Sequence, residues 1–163
     1  MAITWANILE WETGKLEEIA QELLEASQGL QKAYEKGQDH LNALQSQGDA
    51  VTAMRATTIS NLASLERALT NVNGALMAIE GARDGVATVM SNINTLQAYA
   101  STNNCTILND GSVVGEGSRT QRGGKSPARL NIEQGIKDVI EQADQVDTDL
   151  YHALQDINND SYT

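Results

Sequence analysis

Phenylalanine is missing from this 163-residue chain, and four Tyr and two Trp are its whole aromatic content. Aromatic rings bury more surface per residue than other side chains. Their scarcity argues against a thick globular centre and for thin helix-on-helix layers of Leu, Ile, Val, Ala and Met, giving a rod-like protein. Proline occurs once, at Pro127, so long stretches lack the residue that breaks helices. A lone Cys105 rules out an internal disulfide and removes any need for an oxidising compartment. Basic side chains are few, 11 against 22 acidic ones, for a formal charge of -11. Neither nucleic acid nor an anionic membrane is expected as a partner, because both need clustered Lys and Arg. No apolar run approaches the ~18 residues of a membrane span. The segment Met1-Ala2-Ile3-Thr4-Trp5 has no basic region, apolar block or small-residue cleavage site, so no cleavable signal peptide is expected. Export, if it occurs, would use a route that reads a folded shape.

What the chain does contain is helical rhythm. From Leu16, positions Ala20, Leu23, Ser27, Leu30, Tyr34, Gly37, Leu41 and Leu44 fall alternately four and three apart. From Leu62, positions Leu65, Leu69, Val72, Leu76, Ile79, Arg83, Val86, Met90 and Ile93 do the same, with Arg83 the only charge on the stripe. Such spacing marks one face of a helix. It predicts a first helix over about 13–47 and a second over about 49–102, joined through Gln45-Ser46-Gln47-Gly48-Asp49. Ser46 and Gly48 sit in this turn, and Gly48 can adopt the left-handed backbone that lets the two limbs fold back as an antiparallel hairpin. In the second limb Gly74, Gly81 and Gly85 weaken the helix, which favours close approach of another helix there over a bend.

Short-range signals place the remaining elements. Thr4 is suited to cap a first turn and Thr13 the main helix, while Trp5 and Trp11 are expected to cover the open end of the bundle. Thr106-Ile107-Leu108 and Ser112-Val113-Val114 flank Asn109-Asp110-Gly111, the pattern of a very short β-hairpin. Gly115 to Ser126 has four glycines, three cations and no apolar side chain, and is expected to be a mobile loop. Ser126-Pro127 is a strong helix start. Ile132, Ile136, Val139, Ala143, Val146, Leu150, Ala153 and Ile157 then carry a third helix to about Ile157, with 158–163 fraying. The expected fold is therefore a single all-α domain over 1–163: an elongated antiparallel hairpin (13–102), a very short β-hairpin and loop (105–126) and a third long helix (127–157).

Counting outward from the second reversal sets residues of the second and third helices level and puts Arg83 beside Asp147. A partly buried Arg83–Asp147 pair would explain a charge on the stripe; the alternative is that Arg83 snorkels to water or meets neighbours of Asp84. The same counting leaves roughly 34–65 as a tip of only two helices. Leu41, Leu44, Val51, Met54, Ile59 and Leu62 cannot all be buried there, and an exposed apolar stripe of that kind implies a protein partner.

No chemistry is legible. Glu141, Asp144, Asp147, Asp149 and Asp156 are spread around the third helix without the Glu-x-x-His spacing of di-iron bundles, so no metal site is expected. His40 and His152 lie on different helices with no nucleophile arrangement between them. Gly123-Gly124-Lys125-Ser126 lacks the first glycine of a phosphate loop and no buried parallel strand precedes it. Neither a catalytic residue nor a cofactor is expected.

The segment with Trp11, the Leu16 to Leu30 helix and Gln47-Gly48-Asp49-Ala50-Val51-Thr52-Ala53-Met54-Arg55 resemble the WXG-like helical-hairpin substrates of type VII secretion, the early secreted antigen type. The order hairpin, Asn109-Asp110-Gly111-Ser112-Val113-Val114, then a helix with Ala143-Asp144-Gln145-Val146-Asp147-Thr148-Asp149-Leu150 is similar to the N-terminal domains of larger actinobacterial effectors. The family has tryptophan two residues before the turn glycine, where this chain has Ser46. Its export signal, tyrosine followed four residues later by an acid, is absent: Tyr34, Tyr99 and Tyr151 are followed there by Gln38, Asn103 and Gln155. The resemblance implies a non-enzymatic secretion substrate or adaptor that pairs with a small helical-hairpin partner carrying the signal. It would be secreted by the type VII route, or cytoplasmic before export. A self-associating coiled-coil protein, a homodimer unrelated to export, is the other reading of the same stripe.

Overall fold

The computed structural model describes residues 2–160, the side chain of Asp160 excepted. It is all-α with one very short β-hairpin. Four helices follow in order: α1 (Trp5–Leu9), α2 (Gly14–Ala43), α3 (Asp49–Thr102) and α4 (Pro127–Asp160). Between α3 and α4, β1 (Thr106–Ile107) pairs antiparallel with β2 (Val113–Val114), Thr106 opposite Val114 and Ile107 opposite Val113, and a 3-10 turn follows at Glu116–Ser118. No helix among the described residues is long and apolar enough to cross a membrane.

The chain divides into two compact units. The first comprises residues 2–16 and 81–152, the second 17–80 and 153–160. In the first, Trp5 and Ile8 of α1, 2% and 1% exposed, join Val89, Ile93, Val113, Ile132, Ile136 and Val139 in one core. Thr4 holds α1 in place through a capping box, accepting from the Asn7 backbone N–H at 3.3 Å while its own N–H donates to Asn7 Oδ1 at 3.0 Å. Glycines set how closely α3 and α4 approach. A Cβ on Gly85 would lie 2.7 Å from Val146 Cγ2, and one on Gly135 would lie 2.7 Å from Leu96 Cδ1. Both pairs fall within one residue of the register counted from the sequence.

α3 ends in a Schellman motif. Asn104 is left-handed at φ 55°, the Cys105 N–H donates to the Ala100 carbonyl at 2.8 Å, and the Asn104 N–H donates to Ser101 at 3.2 Å. Cys105 and Ala100 are both in the core, the apolar contact that accompanies this ending. The hairpin turns at Gly111 (φ +86°), whose N–H donates to Leu108 at 2.9 Å. The Ser112 hydroxyl and backbone N–H both donate to Asp110 and hold its carboxyl below its usual range.

The segment 115–126 is not the mobile loop its composition suggests. Ser118 and Ser126 are buried, Ser126 Oγ donates to the Gly117 carbonyl, and the Ser126 N–H donates to Ser118 at 3.1 Å. Arg119 and Lys125 form an isolated antiparallel bridge. Backbone hydrogen bonds and close glycine approach do here what apolar side chains do elsewhere: a Cβ on Gly117 would overlap the Asn103 carbonyl. Ser126 also caps α4, accepting from the Arg129 N–H at 3.1 Å. Lys125 and Arg129 each donate to Glu133 at 3.0 Å and lower its pKa, Lys125 the more strongly.

Two helix ends differ from expectation. α2 stops at Ala43 rather than near 47, and α4 runs to Asp160 rather than Ile157, so Asn158 and Asn159 are helical where fraying was expected. The rest of that tail, 161–163, lies outside the described residues.

Candidate partner-binding surface

The second unit is built on α2 and the first half of α3. Gly48 makes the turn at φ +143°, and its carbonyl accepts the first helical bond of α3 from the Thr52 N–H at 2.9 Å. Arg55 closes the end of α2: its guanidinium donates to the Leu44 carbonyl and, at 3.5 Å, to that of Leu41. A cation in the second turn of α3 thus donates to carbonyls at the end of α2, where the chain leaves the helix after Ala43. Ser46 is exposed in the non-helical link.

Gly37 lets the two helices close on each other, since a Cβ there would lie 2.5 Å from Leu62 Cδ2. Leu62 fills that notch and is 8% exposed. Further from the turn, Ser27 Oγ donates to Asn73 Oδ1 at 2.6 Å. Beside the notch Tyr34, Gln38, Leu41, Ile59, Leu62 and Glu66 line an open groove of about 430 Å³. Of the six side chains expected to form a partner surface, the structure brings Leu41, Ile59 and Leu62 into this groove. Leu44 and Val51 are half-buried, and Met54 and Ile59 are 54% and 53% exposed. Leu62 belongs to the hairpin's own interior.

Within this unit the end of α4 comes close to α3, where a Cβ on Gly74 would lie 3.3 Å from Ile157 Cδ1. Within the unit, Ala20, Leu62 and Ile79 are buried, whereas Ile19, Leu24 and Met77 are 42%, 40% and 74% exposed. Tyr34 and Arg55 were not expected as site residues. Tyr34 was visible on the helical stripe, and Arg55 could have been found from the preference of cations for helix C-termini.

The Arg83–Asp147 pair does not form. Arg83 reaches Asp84 at 3.5 Å instead, with its side chain one-third exposed, and Asp147 is exposed at the rim of a groove in the first unit. The buried stripe of α3 in that unit runs Ala82, Val86, Val89 and Ile93, its first member one residue back from Arg83. One position turns a helix by about 100°. Beside the close contact of Gly85 with Val146 there is room for an alanine but not a guanidinium, so Arg83 stays at the border, where its stem packs and its charge meets water.

Among the described residues no group of three or more His, Cys, Asp or Glu is placed to hold a metal ion. Compared with protein-family models, with curated proteins and with solved structures, the chain finds no match.

Proposed function

We propose that the chain is a non-enzymatic helical adaptor or targeting domain that pairs with a small helical-hairpin protein through the tip of the α2–α3 hairpin. We propose further that the pair is a type VII secretion substrate. The observation that carries the pairing is the poor burial of the tip: Met54 and Ile59 remain more than half exposed beside a groove that only two helices line. The export route rests on the sequence resemblance alone. The missing tyrosine-to-acid signal gives the partner a task, since it would have to bring the signal.

The physics favours closure by another helix pair. Fully burying a Leu, Ile or Met yields about 1.5–3 kcal/mol, so covering a half-exposed one recovers about half of that. A partner covering Met54 and Ile59 and completing the burial of Leu41, Leu44 and Val51 would gain on the order of 5 kcal/mol before association costs. Co-expression with a short helical-hairpin protein encoded next to this gene, followed by pull-down and light scattering, tests the reading. A one-to-one heterodimer is expected. Met54→Asp/Ile59→Asp should weaken it at least tenfold while leaving the far-UV circular dichroism unchanged. A chain that stays monomeric at every concentration and binds no such protein, or a heterodimer indifferent to the double substitution, overturns the proposal. A symmetric homodimer through the same tip would favour the structural coiled-coil reading instead.

A further inference from the structure

The first unit has a second concave surface, unrelated to the tip. Trp11, Leu16, Ala82, Val86, Val146 and Leu150 form the apolar lining of a groove of about 370 Å³, within the size range of ordinary ligand sites. Its rim is acidic: Glu10, Glu12 and Asp147 line it, against the single cation Lys15. No ion pair within the described residues involves any of these four. Arg83, the cation nearest in sequence to the Ala82 wall, is turned to Asp84, which leaves the Asp147 carboxylate free.

Three carboxylates of one sign around an apolar floor concentrate negative potential where water is partly excluded. The half-buried Trp11 adds an indole, the ring best suited to a cation and to the aliphatic stem of a Lys or Arg. The other large groove of this unit has no comparable demand. It measures about 620 Å³, but its polar groups already have partners: Asn92 Nδ2 donates to Gln142 at 2.7 Å, Asn131 Nδ2 donates to the Tyr99 hydroxyl at 3.2 Å, and Asp138 accepts from Gln134, outside the lining, at 2.9 Å.

We propose that the Trp11 groove is a docking site for a basic amphipathic segment of a partner protein, one apolar side chain entering between Trp11 and Val146 and flanking Lys or Arg meeting Glu10, Glu12 and Asp147. The probe is the capped peptide KALKALKKALKA, titrated into the full ¹⁵N-labelled chain, with its all-Glu counterpart EALEALEEALEA as control. The Lys peptide should shift the Trp11 indole N–H and the amides of Glu12 and Val146, and the Glu peptide should shift none of them. Glu10→Gln/Glu12→Gln/Asp147→Asn should weaken binding at least tenfold. Glu141→Gln/Asp144→Asn/Asp149→Asn, the same change of charge away from the groove, should weaken it less than threefold. Absence of binding at millimolar Lys peptide, shifts confined to other parts of the chain, equal binding of the Glu peptide, or equal loss in the two triple variants overturns the proposal.

Discussion

Gly81 and Gly85 lie one helical turn apart in α3, and substituting alanine at each should affect stability differently: a gain at Gly81, none or a loss at Gly85. An alanine in a helix interior is about 0.8–1 kcal/mol better than glycine. At Gly81 nothing stands within 4 Å of the added methyl, so Gly81→Ala should realise that gain, about 1 kcal/mol. At Gly85 the methyl would lie 2.7 Å and 3.1 Å from the two Cγ atoms of Val146. A β-branched side chain in a helix is held to essentially one rotamer and cannot turn aside, so α3 and α4 must separate. Overpacking of this kind costs about 1–3 kcal/mol, which cancels or outweighs the propensity gain. The two variants should therefore differ by about 1–3 kcal/mol, at about 2–4 °C per kcal/mol in melting temperature for a chain of this size. Urea unfolding followed at 222 nm measures it as a change in midpoint at constant slope. In a Val146→Ala background the clash is gone, and Gly85→Ala should become stabilising by about 1 kcal/mol. If Gly85→Ala stabilises the unaltered chain as much as Gly81→Ala does, the close approach of α3 and α4 at this point is wrong.

Two further predictions follow from local geometry. Thr4→Ala removes the capping box of α1 and should cost about 1 kcal/mol, with the Trp5 indole passing from core to water; a urea midpoint and emission maximum unchanged from the parent would contradict the anchoring role given to Thr4. Glu133 has its pKa lowered by hydrogen bonds from Lys125 and then Arg129, so its contribution is fully present above the unfolded carboxylate value of about 4.3 and is lost as pH falls through the lower folded value. The stability difference between the parent and Glu133→Gln should thus shrink as pH is lowered from 7 to 2.5, and a difference constant over that range would exclude the ion-pair account.

Much of the architecture was legible because its signals act over a few residues. The four-and-three rhythm from Leu16 and from Leu62, the Ser126-Pro127 start of α4, the Thr4 cap and the Asp110-Gly111 turn are all set by backbone and side-chain chemistry within one turn of chain. The apolar tip was legible as well, because two helices offer too few faces to enclose Leu41, Met54 and Ile59 whatever their register. What remained hidden depends on contacts between residues far apart in the chain. Gly81 and Gly85 look alike as letters, and only the position of Val146 makes one a packing contact and the other open. Ala82 and Arg83 both lie near the stripe, and only the closeness of α4 selects the alanine for burial. The order of 115–126 is carried by backbone carbonyls of Asn104, Gly115 and Gly117, groups every residue possesses, so composition alone was silent about it. The groove at Trp11 has the same origin: Glu10, Trp11 and Glu12 are adjacent in the chain, but their meeting with Val86, Val146 and Asp147 is a product of packing, since periodicity assigns a residue to a face and only three-dimensional contact decides what that face meets.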